Sequence, residues 1–493
     1  MEYFQYIEAA FSPGVLWAIA LGTAGGIVIG ALPGLTATMG VALLIPLTFG
    51  MEPIEGINML IGIYIGGIYG GCISAILIKT PGTPSSAATV LDGYPLAQKG
   101  FAGKALGMAT IASFVGGVFS SIVLATLAPQ LASIALKFGP SEYFALALFG
   151  LTIIASLSSD ILKGCIAGML GILLSCVGGD PVTGATRYTF GFTGFASGFA
   201  FTPALIGLFA LSEVFVQLEH IFEDRIKTIK ISGVLPSWAD MRESAGVLLR
   251  GSIIGTIVGI IPGTGSGTAS WISYNEARRA SKTPEKFGTG HVPGVAATES
   301  ANNAVCGGAL VPLLALGIPG DVVTAVLMGG LMIQGIAPGP MLFQENPGIV
   351  VGIFTGTFLA NIFMLIFGMI GIRYFSKILA IPKKTLTVSI VVFCFIGSYA
   401  INMNDIDLYT MLGFGVLGYV MQKFDFSQAA LCIALILGPL AETNLRQGLM
   451  LADDDIVKFV SSPITVLFLL LTLLSLAWPI YQKRAQKKKD ATT

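Results

Sequence analysis

GTAGGIVIGALPGLTAT, residues 22–38, aligns without a gap to GSIIGTIVGIIPGTGSG, residues 251–267. Gly22 falls on Gly251, Gly30 on Gly259, and Pro33-Gly34 on Pro262-Gly263. Further along, GGCISAILIKTPGTPSSAA around Pro81-Gly82 matches GALVPLLALGIPGDVVTAV around Pro319-Gly320. Each half of the chain therefore carries a hydrophobic run, a Pro-Gly break, a short run, a loop, another hydrophobic run and a second Pro-Gly break. Proline removes an N–H and biases the residue before it away from helix, while glycine admits unusual backbone angles, so each pair opens a helix inside an apolar run.

The surroundings of these breaks are membrane-like. Of 493 residues 54% are hydrophobic and only 11% charged, against roughly 25% charged in soluble domains. So little charge cannot cover a water-exposed surface; lipid must cover most of it. Broken backbone at membrane depth is tolerated where protein or a water-filled cavity surrounds it. The fold class expected is an all-α polytopic membrane protein of roughly 10–14 spans, with two inverted-topology repeats containing re-entrant or Pro-Gly-broken helices.

Apolar runs long enough to span lie near 14–32, 57–78, 105–128, 143–159, 163–178, 201–218, 247–261, 297–317, 348–371, 386–402 and 463–481. Shorter ones near 38–50, 268–276, 321–336, 408–420 and 428–440 read as re-entrant, broken or marginal helices. The organisation expected is a first membrane half 1–218, a basic cytoplasmic connector 219–246, a second half 247–481, and a basic, disordered cytoplasmic tail 482–493. The N-terminus carries Glu2 and Glu8 but no basic residue before its first apolar run, so that run is expected to be retained rather than cleaved.

Loop charge gives the orientation. No Lys or Arg precedes the first repeat, whereas Arg225, Lys227, Lys230, Arg242 and Arg250 precede the core of the second. The loop GMEPIEG, residues 50–56, is acidic; its counterpart carries Arg278, Arg279, Lys282 and Lys286. Positive charge marks the cytoplasmic side, so equivalent loops are expected on opposite faces. Inverted repeats with helices broken at matching positions are a signature of secondary transporters.

The residues beside the breaks suggest what is carried. Gly34, Gly82 and Gly263 are followed by small hydroxyls: Thr36 and Thr38, then Thr83, Ser85 and Ser86, then Thr264, Ser266 and Thr268. Exposed N–H groups at a helix start, its positive dipole end and such hydroxyls make an anion site; the same side chains also serve as plain helix caps. Asn302 and Asn303 can donate to carboxylates or offer carbonyl oxygens to sodium. Asp321, following Gly320, reads as a ligand for a coupling cation, as a proton carrier, or as an N-cap. Unwound carbonyls such as that of Gly320, together with Asn302, suit Na+. Glu299 reads either as a functional candidate inside the apolar zone or as a group at the membrane surface, and Lys79 either as a partner for an anion or as a side chain snorkelling to the interface. Asp160, Lys163, Asp180, Arg187 and Glu213 read as helix-end or loop charges.

Other classes find little support. Net charge is zero, which argues against a nucleic-acid partner. The two histidines, His220 and His291, lie in polar loops, and neither HExxH nor GxSxG occurs, so no enzyme, cofactor or metal centre is expected beyond a coupling Na+ or H+. The six cysteines lie in apolar stretches and read as small buried hydrophobes. A channel or uniporter for small organic anions would need a ring-lined pore and is the alternative function.

The strings ALPGLTATMGVALLIPLTF (31–49), IKTPGTPSSAATVLDGYPLAQKG (78–100), IIPGTGSGTASWISYNEARRASKTPEKFGTG (260–290) and GVAATESANNAV (294–305) carry a family likeness. Over roughly residues 15–440 the chain resembles the TctA-type large permease subunit of bacterial tripartite tricarboxylate transporters. The resemblance implies an inner-membrane permease working with a small TctB-like membrane subunit and a periplasmic TctC-like solute-binding protein. It also implies import of tricarboxylates or related carboxylates driven by an ion gradient. Bringing one negative charge into an interior at −100 mV costs ~2.3 kcal/mol, so cation symport is expected.

Overall fold

The computed structural model describes residues 6, 8–156, 160–219, 231 and 235–490. Half of the 219–246 connector, His220 included, and the last three residues of the tail lie outside them. The chain is built almost wholly of helices; among the described residues the one strand pair is Gly178–Gly179 with Thr186–Arg187.

The first half opens with Pro13–Ala31 (α1), Ala37–Thr48 (α2) and Pro53–Ile78 (α3). Ser12 caps α1 by accepting from Val15 N, with Pro13 in the first turn where its missing N–H costs nothing. Gly34 then takes φ +88° and reverses the chain. Helix α1 runs parallel to α3 at near contact: a Cβ on Gly22, Gly26 or Gly30 would fall 2.2, 2.5 and 2.1 Å from the carbonyl oxygens of Met59, Ile63 and Gly67. Helix α2 runs back along α3, from Ala37 beside Gly67 to Thr48 beside Gly56. The α1–α2 pair is thus a hairpin whose tip stops beside Gly67, about 21 Å along α3 at 1.5 Å per residue.

After Val90–Leu96 (α4), Ala102–Ala135 (α5), Pro140–Ser156 (α6), Ile161–Ser175 (α7) and Phe201–Glu219 (α8), the arrangement recurs. It is rebuilt by Trp238–Ile260 (α9), Gly265–Ala280 (α10) and Val292–Leu316 (α11). Gly251, Gly255 and Gly259 approach the carbonyls of Ala297, Ala301 and Val305. These are the positions that the sequence alignment pairs with the first set. Lys79, which ends α3 with φ 61°, has its equivalent in Gly317, which ends α11 with φ 70°.

Helices α3 and α11 cross antiparallel near their middles. Asn303 Nδ2 donates to Ile65 O and Asn302 Nδ2 to Ile68 O, each at 3.4 Å, while Cys72 lies against Glu299. The remaining helices are Val322–Ile333 (α12), Pro347–Gly371 (α13), Lys383–Asn402 (α14), Asp405–Lys423 (α15), Gln428–Leu451 (α16) and Pro463–Asp490 (α17).

Among the described residues eight helices are long and apolar enough to cross a membrane, and four shorter apolar helices accompany them. The chain is an all-α polytopic membrane protein. Helix α11 is not among the eight despite its 25 residues, because it carries Thr298, Glu299, Ser300, Asn302 and Asn303. Three expectations change. The run at 163–178, read as long enough to span, forms the 15-residue α7, one of the shorter apolar helices, ending at the turn before Gly178. The run at 428–440 is not short: α16 continues through Pro439 to Leu451. The tail is not disordered through 490, since α17 extends to Asp490 on a run of helix-favouring Lys, Gln and Ala. All six cysteines are free; Cys72, Cys306, Cys394 and Cys432 are buried, Cys165 and Cys176 partly so.

Candidate functional site

After α3 the chain folds back so that Gly82 lies against Gly71 and the Gly30 carbonyl; a Cβ there would sit 2.0 Å from Gly30 O. After α11 it does the same, with Gly320 against Ala309 and the Gly259 carbonyl. Each fold-back loop is thereby pinned to the tip of the hairpin in its own half. In the second half the pin is also a hydrogen bond, Gly263 N to Gly320 O at 2.7 Å.

All four breaks meet at one cavity of about 480 Å³. The first hairpin supplies Thr36 and Thr38, and the first fold-back Thr83 and Ser85. The second hairpin supplies Gly265, Ser266 and Gly267, and the second fold-back Asp321, Val322 and Val323. The helices α2, α10 and α12 therefore begin at the cavity wall and turn their N-terminal N–H groups and positive dipole ends toward it. Helix α10 carries no side-chain cap, which leaves its first N–H groups available to a ligand. Its volume is of the size that small-molecule pockets take.

Asp321 is 3% exposed and does double duty. Its Oδ1 accepts from Thr324 N at 2.7 Å, closing a capping box, and its Oδ2 accepts from the Tyr64 hydroxyl at 2.8 Å. Thr83 is its equivalent in the first half. The Thr83 hydroxyl bonds those of Ser85 at 2.7 Å and Ser86 at 3.4 Å, just as Asp321 engages Thr324.

The other residues expected at the site lie elsewhere. Gly34, Gly82, Gly263 and Gly320 form the backbone beneath the wall and do not line it. Ser86 is buried behind Thr83. The Thr264 hydroxyl turns back to the carbonyls of Val258 and Ile261, the latter at 2.9 Å, where it ties off the end of α9. Thr268 faces outward, exposed. Asn302 and Asn303 are wholly buried between α3 and α11, off the cavity wall, with their Oδ1 atoms unpartnered. Lys79 is exposed, its Nζ 5.9 Å above the Tyr94 ring.

Two readings of charge need correction. Glu299 is not at the membrane surface; it is 0% exposed, two turns inside α11. Glu213 is not a helix-end charge either. It sits on the cavity wall, brought there by the turn of α8 that follows a π-helical segment, Ile206–Leu211. Its Oε1 accepts from Gln217 Nε2 at 3.4 Å, and the same amide donates to Gly34 O at 3.2 Å. The far wall also holds Gln422, Ser427 and Gln428. Gln428 Nε2 reaches Leu208 O at 2.8 Å and Gly418 O at 3.0 Å, joining α16 to α8 and α15. A carboxylate inside the apolar run 201–218 was the one visible signal for this wall; the glutamines gave none.

Asp160, Lys163, Asp180 and Arg187 are structural. Asp160 caps α7, and Lys163 Nζ donates to Phe424 O at 2.7 Å. Asp180 pairs with Arg446 at 2.7 Å and Arg187 with Glu442 at 2.6 Å.

Helices that are apolar outward, hairpins that stop short inside them and a cavity at their tips define a multi-pass membrane protein with an internal cavity. Residues 16–433 match the tripartite tricarboxylate transporter TctA family, and the chain belongs to it. It is 39% identical, over 93% of its length and 91% of the relative's, to an uncharacterized 52.8 kDa protein in the TAR-I ttuC' 3' region of Agrobacterium vitis. It is 38% identical to a second protein of that organism, from the TAR-II ttuC' 3' region, over 48% of this chain and 98% of the relative. No solved structure matches it.

Proposed function

We propose that the chain is the large permease subunit of a binding-protein-dependent secondary transporter that imports tricarboxylates or related carboxylates together with Na+ or H+. The observation that carries this reading is the meeting of Thr36, Thr83, Ser266 and Asp321, one from each Pro-Gly break, on a single cavity. Helix N-termini and hydroxyls there suit the carboxylates, while the Asp321 and Glu213 carboxyls suit a cation that offsets their charge. The partners are a small TctB-like membrane subunit and a periplasmic TctC-like binding protein. The subunit sits in the bacterial inner membrane with its C-terminus in the cytoplasm.

The two halves have inverted topology in this reading, supported by the antiparallel crossing of the equivalent helices α3 and α11 and by the opposed loop charges. Transport is alternating access, with the hairpin-bearing part moving against the rest. The test is uptake of labelled citrate and several dicarboxylates into proteoliposomes holding all three components, under a Na+ gradient, a H+ gradient or neither. Saturable uptake that needs a gradient and the binding protein is the expected result. Gradient-independent flux would give the channel reading instead.

A further inference from the structure

Glu299 lies behind the cavity wall. It is mid-helix, so it caps nothing, and it is wholly buried, where an isolated carboxylate is expensive. No ion pair reaches it among the described residues. Every element packed around it offers it neutral groups: Tyr69 and Cys72 from α3, Ser113 from α5, Thr89 from the segment before α4, Asn302 from its own helix. Further titratable groups along α11 are Asp92, against Gly294, and His291 at its head, and Cys306 two turns beyond Glu299.

The hydrogen bonds around Glu299 can be completed in two ways. As a carboxylate it accepts from the Thr89 hydroxyl at Oε1, and at Oε2 from Ser113 Oγ at 3.4 Å and Asn302 Nδ2 at 3.3 Å. As an acid its Oε1–H donates to Thr89 Oγ1. Thr89 then sends its own proton to Thr298 Oγ1 at 3.0 Å, and Thr298 donates to Val295 O at 3.0 Å. Hydroxyls are donors and acceptors that rotate to suit, so the pocket serves both protonation states without moving a backbone atom. The carboxyl touches these groups directly, so a sodium ion would have to push them apart.

Ser270 Oγ, donating at 3.0 Å to Ser266 O and at 3.4 Å to Thr298 O, lies between the wall residue Ser266 and the Glu299 cluster.

We infer that Glu299 is a proton-carrying site, separate from Asp321, that takes up one H+ as a carboxylate, holds it as a carboxylic acid while the cavity is occupied, and returns it on the other side. This rests on the proposed cation-coupled import, and adds that H+ is a coupling ion and where it rides. Asn302 acts here as a positioning residue, one turn from Glu299.

Two measurements on the full chain separate this inference from the reading beneath it. Infrared difference spectra of the purified protein across a pH titration should show the carbonyl stretch of a buried carboxylic acid, lost in Glu299→Gln. Where that variant does not fold, Glu299→Asp should shift the band, and an unmoved band overturns the inference. In proteoliposomes with the partner subunits, Glu299→Gln should abolish acceleration of uptake by an inward H+ gradient while keeping citrate/citrate exchange. Acceleration that survives in Glu299→Gln, or coupling by Na+ alone in the native chain, overturns the proton role. If native protein shows no gradient-dependent uptake at all, the transport reading fails, and the infrared band still decides whether Glu299 holds a proton.

Discussion

The Tyr64 hydroxyl donates to Asp321 Oδ2 across 2.8 Å, tying the middle of α3 to the loop that enters α12. A residue of the first half thus holds the cavity carboxylate of the second. Helix capping uses only Oδ1 of Asp321, so the cap and the negative charge can be separated by substitution.

Asp321→Asn keeps an excellent N-cap and removes the charge. The expected outcome is a folded protein, within about 1 kcal/mol of native stability, that has lost gradient-coupled uptake. Asp321→Ala loses both cap and coupling. Thermal unfolding and proteoliposome uptake on the two variants check this; full coupling in Asp321→Asn would leave the residue as a cap only.

Ser85→Ala and Ser266→Ala each remove one hydroxyl from the cavity wall. A neutral hydrogen bond contributes about 1 kcal/mol, roughly a fivefold change in affinity. Uptake kinetics should show KM raised by about that factor in each. Thr268→Ala, on the exposed face, should leave KM unchanged.

Gly82→Ala and Gly320→Ala should both fail to fold normally. The new methyl would lie 2.0 Å from Gly30 O in one and 2.5 Å from Ala309 Cα in the other, both backbone atoms with nowhere to go. Overpacking of this kind costs about 1–3 kcal/mol or more. Gly25, with open space around it, is the control for Ala substitution. Yield and unfolding midpoint in detergent are the readouts.

The Asp180 carboxyl is held well below the usual carboxylate range, first by the backbone N–H groups of Thr183 and Val182 and then by Arg446. A folded-state pKa below the unfolded value of about 3.9 means stability that is complete above that pH and lost as the pH falls below it. The gap in unfolding midpoint between native protein and Asp180→Asn should therefore be constant from pH 7 to about 5 and shrink below about 4.

Much of this arrangement is legible in the sequence because Pro-Gly pairs act locally. Pro33-Gly34 and Pro262-Gly263 break a helix whatever surrounds them, and repeated order then pairs Gly30 with Gly259 and Thr83 with Asp321. Most residues just after the breaks reach the cavity because a helix start is fixed in direction: Thr36, Thr38, Thr83, Ser85, Ser266 and Asp321 are on its wall, while Thr264 turns back to cap α9. Side chains further along a helix are not fixed in this way. Helix α11 is enclosed on every side, so Asn302, Asn303 and Glu299 are buried toward α3 and α5 rather than toward the cavity. Glu213 was hidden for another reason: a π-helical turn shifts the face that α8 presents, and no periodicity in the sequence marks it.

The central claim is that the cavity between the four breaks binds the carboxylate. A cysteine placed by Ser266→Cys, in a chain whose six native cysteines are replaced by serine or alanine, can be labelled with a small water-soluble thiol reagent in assembled proteoliposomes. Saturating citrate, or whichever carboxylate is transported, is predicted to slow labelling in proportion to its KM, while Thr268→Cys labels at an unchanged rate. Equal labelling of the Ser266→Cys position with and without a carboxylate that the same vesicles demonstrably take up would contradict the account.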